Sequence, residues 1–97
     1  MKGYIIAEVE VTDPTLFEQY RAGVPPTVAA HGGRYLVGGG GLTPAEGGWH
    51  PKRLIVLEFP DLKAAKAWHE SAAYAPLKAM RERSARTKMV IVEGAAP

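Results

Sequence analysis

The run KRLIVLEFPDLKAAKAWHES, residues 52–71, constrains this chain more than any other part of it. Its first half reads as a strand whose apolar side chains fall on both faces, with Glu58 as the one charge in the run from Leu54 to Phe59. Pro60-Asp61 breaks the strand and opens a helix, in which Leu62, Ala65, Trp68 or His69, and Ala72 recur at helical spacing. A strand apolar on both faces needs cover on both. In a chain of 97 residues, its own helices can cover one face, and the other asks for a second copy of the molecule.

The rest of the chain supplies matching elements. GYIIAEVEV, residues 3–11, alternates as a strand. Asp13-Pro14 marks a helix start with Asp13 as cap, and Leu16, Phe17 and Tyr20 form its apolar stripe. Pro25-Pro26 predicts a break near residues 23–24, with a second short helical piece to Ala30. Gly32-Gly33 stops that piece, and RYLVG, residues 34–38, is the second strand. The glycines at 38–41 are followed by LTPAEGGWHP, without the Lys-Ser/Thr and helix of a phosphate loop, so they read as a strand end running into an open loop. The third strand spans 52–59. After the helix that follows it, Ser71 can cap a second helical piece over 72–84, and the last strand spans 87–93.

The order β-α-β-β-α-β in one domain, residues 1–97, predicts an α+β ferredoxin-like fold: a four-stranded antiparallel sheet with both helical segments on one face and strands one and three in the centre. We assign to the helix side Ile5, Ala7, Val9 and Val11, then Tyr35 and Val37, then Ile55, Leu57 and Phe59, then Val90 and Val92. The open side then carries Ile6, Leu36, Leu54, Val56, Met89 and Ile91, a patch at or above what monomers usually expose. Burying it is worth roughly 10 kcal/mol gross per protomer, at about 1.5–3 kcal/mol per side chain. The expected assembly is therefore a homodimer through the sheet face.

Composition narrows the partners. There is no cysteine, which removes disulfides, thiol nucleophiles and zinc–thiolate sites. A net charge of +2, with no aromatic residues among the late basic ones, does not suggest nucleic acid. No apolar run approaches the roughly 20 residues of a membrane span, and the charged start does not resemble a signal peptide, so a cytoplasmic protein is expected. The three histidines share no ligand spacing, so neither a metal site nor a cofactor is expected.

Candidate chemistry rests on a few residues. Glu8 and Glu58 lie on the two central strands and could form a carboxylate pair for acid–base work, or each could be held in an ion pair. Arg34 could clamp a substrate carboxylate or tie its strand to Glu58. In Trp68-His69 one side chain must face the sheet; Trp68 suits the core, and His69 could act as a base.

The elements GYIIAEVEVTDP, Tyr20, HGGRYLVGGG, PKRLIVLEFPDLKAAKAWHES, Tyr74, Arg81 and VIVEG, in this order, resemble the family grouped as domain of unknown function 1330, in the dimeric α/β-barrel superfamily. The resemblance spans essentially the whole chain and implies two sheets packed into a barrel. Superfamily relatives include cofactor-free monooxygenases, small isomerases and haem-degrading enzymes, whose ligands sit between helices and sheet. It implies that Tyr20, Tyr35, Trp68 and His69 lie nearest a ligand. Where the haem-degrading members carry a histidine, this chain has Leu77, Lys78 and Ala79. Two functions follow as expectations: a metal-free isomerase or monooxygenase-like enzyme acting on a small organic molecule, or a non-catalytic ligand-binding or stress-associated dimer.

Overall fold

The computed structural model describes residues 1–97. Its elements run β1 (Gly3–Val11), α1 (Pro14–Ala30), β2 (Arg34–Gly38), β3 (Leu54–Phe59), α2 (Leu62–His69), α3 (Ala75–Ser84) and β4 (Ala85–Glu93). The strands form one antiparallel sheet in the order β2-β3-β1-β4, the ferredoxin-like arrangement with β1 and β3 central. All three helices lie on one side, giving a slab only 17 Å through its thinnest dimension. No helix is long and apolar enough to cross a membrane.

Local chemistry explains the starts and stops. Asp13 accepts a hydrogen bond from the Leu16 N–H at 3.1 Å, and Asp61 accepts one from the Ala64 N–H at 2.8 Å, so each caps a helix. Ser71 closes the α2–α3 turn: its hydroxyl donates to the Trp68 carbonyl at 2.8 Å and accepts from the Tyr74 N–H at 3.2 Å. Gly32 takes φ +73° after α1, a left-handed conformation that glycine adopts without strain.

The core lies between sheet and helices. Ile5, Leu57 and Phe59 from the central strands meet Val24, Val28, Trp68 and Tyr74, all essentially buried. Each such side chain contributes about 1.5–3 kcal/mol of burial. The Trp68 indole N–H donates to the Thr27 hydroxyl at 3.0 Å, which donates in turn to the Val24 carbonyl at 2.7 Å, tying α2 to α1.

The structure corrects the reading of the sequence in three places. First, α1 runs unbroken through Pro25 and Pro26. Both prolines are exposed, while Val24 and Val28 are buried. The carbonyls that lose a donor therefore face water, and the apolar stripe holds the helix together. Second, β4 has the opposite parity. Ile91 pairs with Ile5 and Met89 with Ala7, so Met89 and Ile91 pack on the helix side, and Val90 and Val92 face outward. Third, a bulge between Tyr35 and Val37 sets Val37 opposite Val56 on the open face. β3 begins at Leu54 rather than 52, α3 at Ala75 rather than 72, and β4 at Ala85 rather than 87.

Candidate functional site

Between the helices and the sheet lies a cavity of about 60 Å³. A single water needs roughly 10–15 Å³ on such a measure, so several waters or a small organic fragment fit. Phe17 and Tyr20 of α1, Tyr35 of β2 and Trp68 of α2 give it aromatic walls. Ile5, Ala7 and Val9 of β1 form its apolar floor, and Thr87 and Met89 of β4 line it as well. These strand residues reach it because alternate side chains of one parity project to the helix side.

The polar groups in and next to the cavity are few, and Tyr74 is outside its lining. The Tyr20 and Tyr74 hydroxyls hydrogen-bond to each other at 2.8 Å. Burial pushes the Tyr20 phenol far above its usual range, reinforced by Tyr74, and burial likewise raises Tyr74 and Tyr35. All three stay neutral at physiological pH and act as hydrogen-bonding groups rather than phenolate bases. Three arginines, Arg21, Arg53 and Arg81, line the cavity, and no carboxylate does. Arg21 is paired with Glu18 at 3.4 Å, and the Arg53 guanidinium lies 5.1 Å from the Phe17 ring centroid. Arg81 is only 8% exposed, its Nε has no hydrogen-bond partner, and its Nη1 meets only the Met89 sulfur at 3.9 Å. The Thr87 hydroxyl is also buried without a partner.

The residues singled out from sequence fall into two groups. Tyr20, Tyr35 and Trp68 line the cavity together. Arg34, Glu58 and Glu8 lie on the other face of the sheet. There Glu58 accepts hydrogen bonds at 3.0 Å from Arg34 Nε and at 3.0 Å from the Tyr4 hydroxyl. The Arg34 guanidinium, then the Tyr4 hydroxyl, hold the Glu58 carboxyl below its usual range. Glu8 stands opposite Leu54 rather than Glu58, four residues further along β3. That offset is about 13 Å, so the two carboxylates do not form a pair. His69 ends α2, with its ring centroid 6.4 Å from that of Trp68 and 6.3 Å from that of Tyr74. Burial, then the nearby Lys78 and Arg81, lower its pKa.

Arg81 and Thr87 were not among the sequence candidates. In the sequence Arg81 stands out only as an element of the family resemblance, yet it follows Tyr74 and Leu77 at spacings of seven and four, on the inward stripe of α3. Thr87 was hidden by the parity assigned to β4. No three His, Asp or Glu side chains converge in the fold.

An antiparallel sheet with both crossovers on one face and a cavity between the layers defines a ferredoxin-like α+β domain with an internal cleft. The chain belongs to the domain of unknown function 1330 family, whose model matches residues 2–95. Its fold is shared by a protein of unknown function from Rhodopseudomonas palustris, with a TM-score of 0.73 and 13% identity over 99% of this chain and 84% of that one. It is also shared by SnoaB, a cofactor-independent oxygenase from Streptomyces nogalater, with a TM-score of 0.67 and 13% identity over 99% and 95% of the two chains. A conserved protein of unknown function from Bacteroides thetaiotaomicron aligns with a TM-score of 0.61 and 13% identity over 96% and 97%. At these identities the likeness is one of fold. No curated protein matches the sequence.

Proposed function

We propose that this protein is a homodimer that binds a small, flat organic molecule in the helix–sheet cleft and acts on it without a metal, by isomerase- or monooxygenase-like chemistry. The observation that carries this reading is the cavity itself, walled by Phe17, Tyr20, Tyr35 and Trp68 and holding buried polar groups that the protein leaves unanswered. Ordinary packing closes such space or satisfies such groups. Tyr35 is 42% exposed and also lines the cavity, which places it at the mouth. A cofactor-independent oxygenase on the same fold supports the metal-free reading.

In this assignment Tyr20, Tyr35 and Trp68 bind the ligand. His69, which stands beside the Trp68 and Tyr74 rings but outside the cavity lining, is the candidate base, while Arg34, Glu58 and Glu8 serve the outer sheet face and the subunit contact. That contact is supported by Val37, Val90 and Val92, all substantially exposed on one face. A second reading, a ligand-binding dimer without turnover, is favoured by the absence of any carboxylate among the cavity residues.

Titration of planar aromatic compounds against tryptophan emission tests the cleft. Binding quenches Trp68 in wild type and in Trp49→Phe, and Trp68→Phe removes the signal. If no compound alters the emission or the melting temperature, the cleft reading is wrong. Turnover of the bound compound, assayed with and without dioxygen, separates enzyme from binder.

A further inference from the structure

Resting on the cleft reading, we propose that the molecule held there is an organic anion: a flat acid whose charged oxygen sits against the Arg81 guanidinium and the Thr87 hydroxyl. The charge arrangement points to this. Arg81 is more than nine-tenths buried and has no acidic partner in the fold. Its Nε–H is an unanswered donor, and so is the Thr87 hydroxyl. Both groups line the same cavity. Thr87 and Met89 are alternate residues of β4 on one face, and the Arg81 guanidinium reaches Met89. Arg81 and Thr87 therefore converge from the helix layer and the sheet.

A buried cation without a counter-ion is costly, and the cost falls when an anion binds. No carboxylate lines the space, and of its three arginines only Arg21 has an acidic partner, Glu18, so its potential is positive. A guanidinium fork together with a hydroxyl suits the oxygens of a carboxylate, or the single oxygen of an enolate or phenolate. The aromatic walls suit the flat body that carries that oxygen. A site of this kind also lowers the pKa of an enol or phenol, so it can hold a weak acid ionised without supplying a base.

The test uses the full-length protein and two matched pairs of probes, benzoate against benzamide and phenylpyruvate against its amide, measured by calorimetry at constant ionic strength. The acids are expected to bind at least tenfold more tightly than the amides. Arg81→Met should lose at least tenfold in affinity for the acids. Thr87→Val should lose a smaller factor. Arg83→Met, which removes the same charge from an exposed position on the same helix, should bind as wild type does. A nitrophenol gives a second readout, because its ionisation is visible: bound to wild type its midpoint should fall, and bound to Arg81→Met it should not. If the amides bind as tightly as the acids, or Arg81→Met binds acids like wild type, the cleft reading stands and the anion is overturned. If neither acids nor amides bind, both are overturned.

Discussion

Replacing Arg81 by methionine should make the empty protein more stable, not less. Most substitutions of a buried residue destabilise, so the expected sign is itself informative. The reasoning starts from the 8% exposure of Arg81, the lack of any partner at Nε, and the single long contact of Nη1 to the Met89 sulfur. An unsatisfied buried donor costs about 1–3 kcal/mol, and a charged one more. Methionine keeps much of the aliphatic stem, fills irregular space well, and carries no donor. The expected gain is therefore about 1–3 kcal/mol. In a domain of this size, 1 kcal/mol moves the melting temperature by roughly 4–8 °C.

The assay is thermal unfolding by calorimetry at pH 7 and fixed protein concentration, since association would also shift the midpoint. Arg81→Met should melt at least about 4 °C above wild type, with Arg83→Met within about 0.5 kcal/mol of it. Adding benzoate at about 100 times its wild-type dissociation constant should raise wild type by about 2.7 kcal/mol and Arg81→Met, binding at least tenfold more weakly, by no more than about 1.4 kcal/mol. The ranking of the two proteins then narrows or reverses with ligand. A melting point for Arg81→Met below that of wild type, without ligand, refutes the argument: the guanidinium would then be holding the fold together, answered by water in the cavity. A gain in stability at the expense of binding is the signature of a group retained for function.

Three other outcomes follow from the geometry. Tyr20→Phe and Tyr74→Phe should each cost about 1–3 kcal/mol in denaturant melts by orphaning the other hydroxyl, and the double variant should cost less than their sum; strict additivity would mean that the 2.8 Å contact carries no coupling. His69 should titrate below 6.5 in the folded protein by NMR, because burial, then Lys78 and Arg81, disfavour its cation. The unfolded chain takes up that proton first, so stability is complete above pH 6.5 and is lost as pH falls through the folded-state midpoint; His69→Gln should flatten that slope, and a midpoint at or above 6.5 contradicts the account. Val90→Glu, which places a charge opposite Ile6 on the open sheet face, should give a mass of 10.4 kDa by light scattering at micromolar concentration where wild type gives twice that; a single-chain mass for wild type removes the dimer.

Much of this architecture was written in local patterns. Asp13-Pro14, Pro60-Asp61, Gly32-Gly33 and the alternation of residues 3–11 placed the elements, because caps, breakers and period-two burial are short-range effects. Pro25-Pro26 misled because a proline's cost depends on which way its helix face points, and that is set by packing. The parity of β4 misled because Met89, Val90, Ile91 and Val92 are all apolar, so hydrophobicity alone cannot choose a face. A signal was present nonetheless: Arg86 and Lys88 share the parity of Val90 and Val92, and the two charges could not have been packed beneath the helices. The bulge in β2 is a tertiary feature with no such marker in RYLVG. At the site, the aromatic walls were legible from Tyr20, Tyr35 and Trp68, while the polar groups were not. Arg81 reads as a surface residue until α3 is rotated onto α1, and Thr87 only once β4 is set in register.

That register also explains why the cavity is left with uncompensated positive charge. On the outer face, each acid of the two central strands has a basic residue directly across from it: Glu58 opposite Arg34, Glu8 opposite Lys88 and Glu10 opposite Arg86. Two of these pairs are in contact, at 3.0 Å for Arg34–Glu58 and 2.9 Å for Arg86–Glu10. Exposed pairs of this kind contribute little to stability, but they fix partners and register. Because strand side chains alternate, none of those acids can turn through the sheet to reach Arg81. Had β4 kept the opposite parity, Lys88 would have pointed into the helix layer and Thr87 away from it. The observed parity instead turns Lys88 outward, across from Glu8, and sets the Thr87 hydroxyl in the cavity lined by the one buried guanidinium. Glu58, the lone charge in the strand that defines this fold, belongs to that outer set. Its bonds to Arg34 and Tyr4 join β1, β2 and β3, and the chemistry it was first considered for has its positive counterpart on the other side of the sheet.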